Sequence, residues 1–153
     1  MNRIKSIFAV LALALLSVAC GKEEPVVNYL EVTPNNVSGE WKLVEWNDAP
    51  LNDGTYFYIE LVRKDRKFNI YQNFDSMGDI PHKVTGEFNI EVSDFGDPVI
   101  RGTYDYSEGL WSHKYYVTKL TKTTMVWTAE DDENFVQKFE RCTIPAELIE
   151  DNE

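Results

Sequence analysis

The chain has 153 residues, 43% of them hydrophobic, with 15 Lys and Arg against 26 Asp and Glu and a formal net charge of −11. That length suits one domain with a substantial core. The acidic balance argues against nucleic acid as a partner, because phosphate binding is driven by cationic side chains that release counterions, and two cysteines cannot make a disulfide framework.

At the N-terminus, Arg3 and Lys5 precede an apolar run from Ile7 to Ala19, broken only by Ser17, and no acid comes before Glu23. A bilayer span needs about 20 apolar residues, so this run fits a secretory signal better than a transmembrane helix. The stretch Leu16-Ser17-Val18-Ala19-Cys20 resembles a lipobox, in which a small residue precedes an acylated Cys. The resemblance implies a signal peptide over residues 1–19, removed on maturation, and palmitate-type acylation of Cys20 that anchors the protein to a membrane of the cell envelope. Gly21, Lys22, Glu23 and Glu24 resemble the lysine-plus-acid tags that carry some envelope lipoproteins to the surface, which implies an outer-membrane address. Residues 20–37, with Pro25, Pro34 and Asn35-Asn36, read as the lipidated tether.

Residues 38–142 read as the folded domain. Eight runs rich in β-branched and aromatic residues follow one another: Gly39–Trp46, Thr55–Lys64, Lys67–Phe74, His82–Val92, Val99–Tyr106, Trp111–Thr121, Thr124–Glu130 and Asn134–Cys142. Short polar connections such as Lys64-Asp65-Arg66-Lys67, Asp94-Phe95-Gly96-Asp97-Pro98 and Thr121-Lys122-Thr123 predict hairpins, so that neighbours in sequence pair antiparallel. The fold expected is all-β, an eight-stranded antiparallel up-and-down barrel that closes to remove its edges, with a two-sheet sandwich as the alternative. Residues 143–153 form a short tail in which Ile144, Leu148 and Ile149 suit a short helix on the barrel.

The first strand opens Gly39-Glu40-Trp41 and the last ends Phe139-Glu140-Arg141; between them come Gly102-Thr103-Tyr104, Trp111 and Tyr115-Tyr116-Val117. In that order these motifs resemble a divergent branch of the lipocalin-like family, as found in lipoproteins of the bacterial envelope. The resemblance implies that Arg141 packs on Trp41 to close the barrel base. Meander geometry gives the same placement, because the start of the first strand and the end of the eighth meet at one end, where a guanidinium over an indole is worth about 0.5–2 kcal/mol.

The other end gathers Trp46, Tyr56, Tyr58, Phe74, His82, Tyr106, Trp111, His113 and Phe135, and its loops are longer. Alternation points Trp41, Leu43, Phe57, Ile59, Leu61, Phe68, Ile70, Phe88, Ile90, Ile100, Tyr104, Tyr115, Val117, Met125, Trp127 and Phe139 inward, enough bulk to fill the lower half of the barrel. A small apolar or aromatic ligand is therefore expected only in the upper half, with Tyr58, Tyr104, Tyr106, Trp111, His113 and Tyr115 as its contacts. The rival is an accessory module of an envelope complex that uses this mouth or an outer face of Val44, Trp46, Tyr56, Tyr58 and Tyr71 to meet an unidentified protein.

Catalysis is not expected, and neither is a cofactor or a metal. Gly-x-Ser-x-Gly and a phosphate-cradling Gly-rich loop are both missing. Ser112 and His113 adjoin in a strand, which sends their side chains to opposite faces and denies the nucleophile its base. His82 and His113 could share a metal with Glu108 or Asp79 only by an unspecified third ligand. The acidic stretch Glu130–Glu133 lacks the alternating ligands and Gly of a calcium loop, and Cys142 reads as a buried thiol.

Overall fold

A computed structural model describes residues 27–74 and 82–150. The stretch read as a signal peptide, Cys20 and the residues just after it lie outside the described residues, as does Asp79. Nine strands form one antiparallel sheet: β1 (Gly39–Trp46), β2 (Ala49–Pro50), β3 (Phe57–Val62), β4 (Lys67–Gln72), β5 (His82–Val92), β6 (Pro98–Tyr104), β7 (Tyr115–Thr118), β8 (Thr124–Ala129) and β9 (Val136–Arg141). Each strand from β3 onward pairs with the next, and β9 returns to β1, so eight strands close an up-and-down barrel. The two-residue β2 lies outside it, folded back on the end of β1 by a turn whose Asn47 and Asp48 take φ of 51° and 60°. Among the described residues two short helices flank the barrel, α1 (Pro34–Val37) and α2 (Ala146–Glu150).

Alternation along the strands builds the interior. Trp41, Leu43, Ile59, Leu61, Phe68, Ile70, Phe88, Ile100, Tyr115, Val117, Met125, Trp127 and Phe139 are buried in a single cluster, with Phe57, Ile90 and Tyr104 packed against it. Outside the barrel, Ile144 is buried beside β1, where its N–H donates to Glu40 Oε2 over 2.7 Å.

The base is plugged and latched. The guanidinium of Arg141 lies 4.1 Å from the centre of the Trp41 ring and donates to Ser38 O at 3.0 Å and Lys122 O at 2.8 Å. Gly39 makes room for it. A Cβ there would collide with Arg141 Nη1, and the backbone φ of +127° is one that side-chain-bearing residues rarely adopt. Beneath them the Trp41 indole N–H donates to Val37 O at 2.8 Å, and Val37 has no exposed surface. Residues 30–37 differ here from the tether expected of them. Leu30 N–H donates to Leu120 O at 2.8 Å, Leu30 and Val32 pack on the core, and Thr33 caps α1, whose first residue is Pro34. This stretch is the floor of the barrel, and the folded unit starts near Leu30 rather than Ser38.

One irregularity shapes the opposite end. Between Leu43 and Glu45 the register of β1 against β9 shifts by one residue, the mark of a β-bulge at Val44. Leu43 faces Phe139 across the pair, but Glu45 faces Lys138 and Trp46 faces Gln137. The bulge returns Trp46 to the interior side, where plain alternation would have put it outside. Lys138 locks the arrangement on the outer face, bonding Glu45 Oε2 at 2.6 Å and Asp48 Oδ1 at 2.7 Å. Donating to the Asp48 and Glu45 carboxylates, against the opposing desolvation, raises the pKa of the Lys138 ammonium to about 12.

Candidate functional site

A cavity of about 490 Å³ opens at the mouth, while the base below it is filled. Its walls are mostly rings. Phe57, Trp46, Phe135 and His113 run round the rim, with Phe74 packed behind Trp46 at 5.4 Å and Phe57 at 6.2 Å, Trp46 5.2 Å from Phe135, and His113 4.8 Å from Phe135. Deeper, Trp111, Tyr115 and Trp127 form a ring cluster with centres 5.4–6.2 Å apart, Tyr115 stacked on Trp127 and edge-on to Trp111, and Phe139 lies 4.8 Å from Trp127.

Local structure explains how Trp111 reaches this cluster. After β6 the chain makes a 3-10 turn at Asp105–Ser107 and doubles back, with Thr103 bridging Leu110 and Trp111 N–H donating to Gly102 O at 2.9 Å. The Trp111 ring then lies flat on Gly102, where any Cβ would collide with it. The Asp105 carboxylate, accepting from Thr85 Oγ1 at 2.6 Å, ties the turn to β5. Tyr115 is nearly sealed, and burial, followed by neighbouring Tyr104 and Asp131, pushes its phenol well above the usual range. It remains protonated at neutral pH.

Of the six contact residues expected from sequence, Tyr104, Trp111, His113 and Tyr115 line the cavity. Tyr58 does not: its neighbour Ile59 points inward, so Tyr58 faces out, beside Lys42 and near Cys142 and Glu147. Tyr106 does not either. It sits in the 3-10 turn at φ 60°, 92% exposed, because the turn swings it off the sheet. The outer patch proposed for a protein partner also breaks up, since Trp46 lines the cavity and Tyr71 is only 3% exposed, with the Lys83 ammonium 5.6 Å from its ring centre.

Two buried carboxamides, Gln72 and Gln137, line the same cavity and were not among the expected contacts. The pattern held the signal for both. Gln72 is two residues beyond inward Ile70, and Gln137 two before inward Phe139. Neither histidine is placed as a shared metal ligand: His82 Nε2 is 3.1 Å from Gln72 Nε2, and His113 Nδ1 is 2.6 Å from Asp131 Oδ1. Among the described residues no group of three or more His, Cys, Asp and Glu side chains is placed to hold a metal ion. Cys142 is a half-buried free thiol, and that burial raises its pKa.

The fold and cavity define a class, a closed antiparallel barrel with one filled end and one ring-lined open end. Comparison with known proteins adds no closer assignment, as no family model and no curated protein matches the chain.

Proposed function

We propose that this chain is a non-catalytic binding protein of the lipocalin-like type, anchored through a lipid on Cys20 to the cell envelope, that takes a small apolar or aromatic ligand at the mouth of its barrel. The observation that carries the reading is the asymmetry of the interior, with a base sealed by Val37, Trp41 and Arg141 and a ring-lined cavity of about 490 Å³ at the other end. That size falls within the usual range for small-molecule sites. The described N-terminal segment leaves from the base, bonded to Leu120, so a lipid tether on it would hold the mouth away from the membrane. Burial of apolar surface at roughly 25 cal/mol per Å² suffices for micromolar affinity in a preformed pocket.

The test titrates the protein with N-phenyl-1-naphthylamine while following Trp emission, then repeats it with Trp111→Ala and Tyr104→Ala. Saturable binding that either change weakens supports the reading, and the absence of saturable binding overturns it. The anchor has its own test: Cys20→Ala should block processing or release the protein from membranes, and a variant that stays membrane-bound with unchanged mature mass removes the lipoprotein assignment. An accessory module that docks a protein partner is the second reading. Tyr106 and Leu110, exposed together on the hairpin between β6 and β7, favour it, and it becomes the better account if the mouth takes no probe.

A further inference from the structure

The ring walls of the cavity select for a flat apolar ligand, but its polar atoms select further. Among the described residues no Lys or Arg lines it, and Glu108 stands among the lining residues. With a chain this acidic, an anionic ligand would enter against the field and find no cation to meet it. The indole N–H groups of Trp111 and Trp127 are sealed off, that of Trp111 against Gly102, and offer a ligand no access. Gln72 is engaged with His82.

Gln137 is different. It is 6% exposed, lies on the inward side of β9 between Trp46 of β1 and Trp127 of β8, and lines the cavity, yet its carboxamide has no hydrogen-bond partner among the described residues. A ligand that seals the mouth removes solvent from this group. A hydrocarbon would leave both its N–H and its C=O unpaired, which is the costly outcome for a buried amide. A carboxylate could satisfy only the N–H. The group that satisfies both is a complementary amide edge, with a donor beside an acceptor in one plane, the same geometry by which a Gln side chain reads the edge of a planar base.

We infer that the ligand is a neutral, planar ring compound carrying a lactam-type edge, an N–H next to a carbonyl, and that the unpartnered Gln137 carboxamide in the cavity wall reads that edge. The inference rests on the binding function proposed above and narrows it to a ligand class. Trp46, placed across from Gln137 by the bulge at Val44, supplies the adjoining ring surface.

The experiment compares 2-quinolone, which has such an edge, with naphthalene, which has the same ring size and none, by isothermal titration calorimetry on the full-length protein. Because the two compounds differ in water, the informative quantity is the ratio of their association constants and how it changes. Gln137→Leu should lower the ratio of 2-quinolone to naphthalene by about fivefold or more while naphthalene binding persists, which also shows that the variant is folded. A second measurement needs no variant: N-methyl-2-quinolone, which keeps the carbonyl and lacks the donor, should bind the unaltered protein about fivefold more weakly than 2-quinolone. A smaller change in the first ratio, or equal binding of the two quinolones, overturns the lactam reading while leaving ring binding in place. If none of the three compounds saturates the protein, the inference falls together with the binding function.

Discussion

The two ends of this barrel are built from the same residue types and do opposite things. At the base, rings and cations are used up on one another: Trp41 is covered by Arg141 above and bonded to Val37 below, and no part of it is exposed. At the mouth, Trp46, Trp111 and Tyr115 pack edge to edge around a space instead of filling it. The difference lies in the connections. The base hairpins are short, and the chain before β1 returns as a plug, whereas the mouth is framed by the doubled-back hairpin at 105–110 and by the bulge that turns Trp46 inward. Substitutions at the base should therefore cost stability and spare ligand binding, and those at the mouth the reverse.

The largest effect is expected at Gly39. Gly39→Val forces a side chain into the space of the Arg141 guanidinium and into a left-handed backbone, so urea denaturation should show a loss of roughly 2–4 kcal/mol. A midpoint equal to that of the unaltered protein would mean the latch does not hold the base. Arg141→Ala comes next. It removes the stacking on Trp41 and the bonds to Ser38 and Lys122, at about 1–3 kcal/mol by the same measurement, with probe affinity at the mouth unchanged. Weakened probe binding in this variant would show that the two ends are coupled rather than separate.

Much of the base was legible in the sequence, because a period of two together with meander order suffices to place Trp41 and Arg141 at one end and to choose the inward residues. The mouth was less legible, for local reasons. A bulge is one inserted residue with no composition signal, so Trp46 reads as outward until the register is seen. Tyr106 looks like the continuation of β6, and only the left-handed turn that carries it shows otherwise. For Tyr58 the sequence carries two conflicting signals, aromatic character and the alternation that turns Ile59 inward, and the alternation prevails. Gln72 and Gln137 hold inward positions of the alternation, but their polar side chains give no apolar signal there. The plug at 30–37 hides behind its Pro and Asn content, since a four-residue helix has too little length for any periodicity.

At the mouth, Trp46→Ala sharpens the contrast. Trp46 is one of the rim rings, with Phe74 and Phe135 on either side, so its removal should weaken binding of N-phenyl-1-naphthylamine by about tenfold, equivalent to about 1.4 kcal/mol. The Arg141–Trp41 latch lies at the other end of the barrel and should be untouched. Retained affinity in fluorescence titration would remove Trp46 from the site and with it the functional importance of the bulge.

The smallest effect is expected at the rim, where Asp131 in the turn between β8 and β9 meets His113 just before β7. The hydrogen bond from His113 is the main cause that holds the Asp131 carboxyl below its ordinary value of 3.8. A carboxyl depressed in the folded state adds stability above its unfolded pKa and loses that contribution as the pH falls through the folded value. The contact should therefore operate across the neutral range and fade below about pH 4. Because Asp131 is exposed, water and salt screen the pair and keep its contribution small. Comparing the urea midpoints of Asp131→Asn and the unaltered protein isolates it: a modest gap at pH 6 should narrow as the pH is taken below 4, and should shrink at pH 6 in high salt. A gap of the same size at both pH values would show that Asp131 supports the turn through its shape alone, and that the His113 ring is held at the rim by Phe135 and Tyr115 without help from charge.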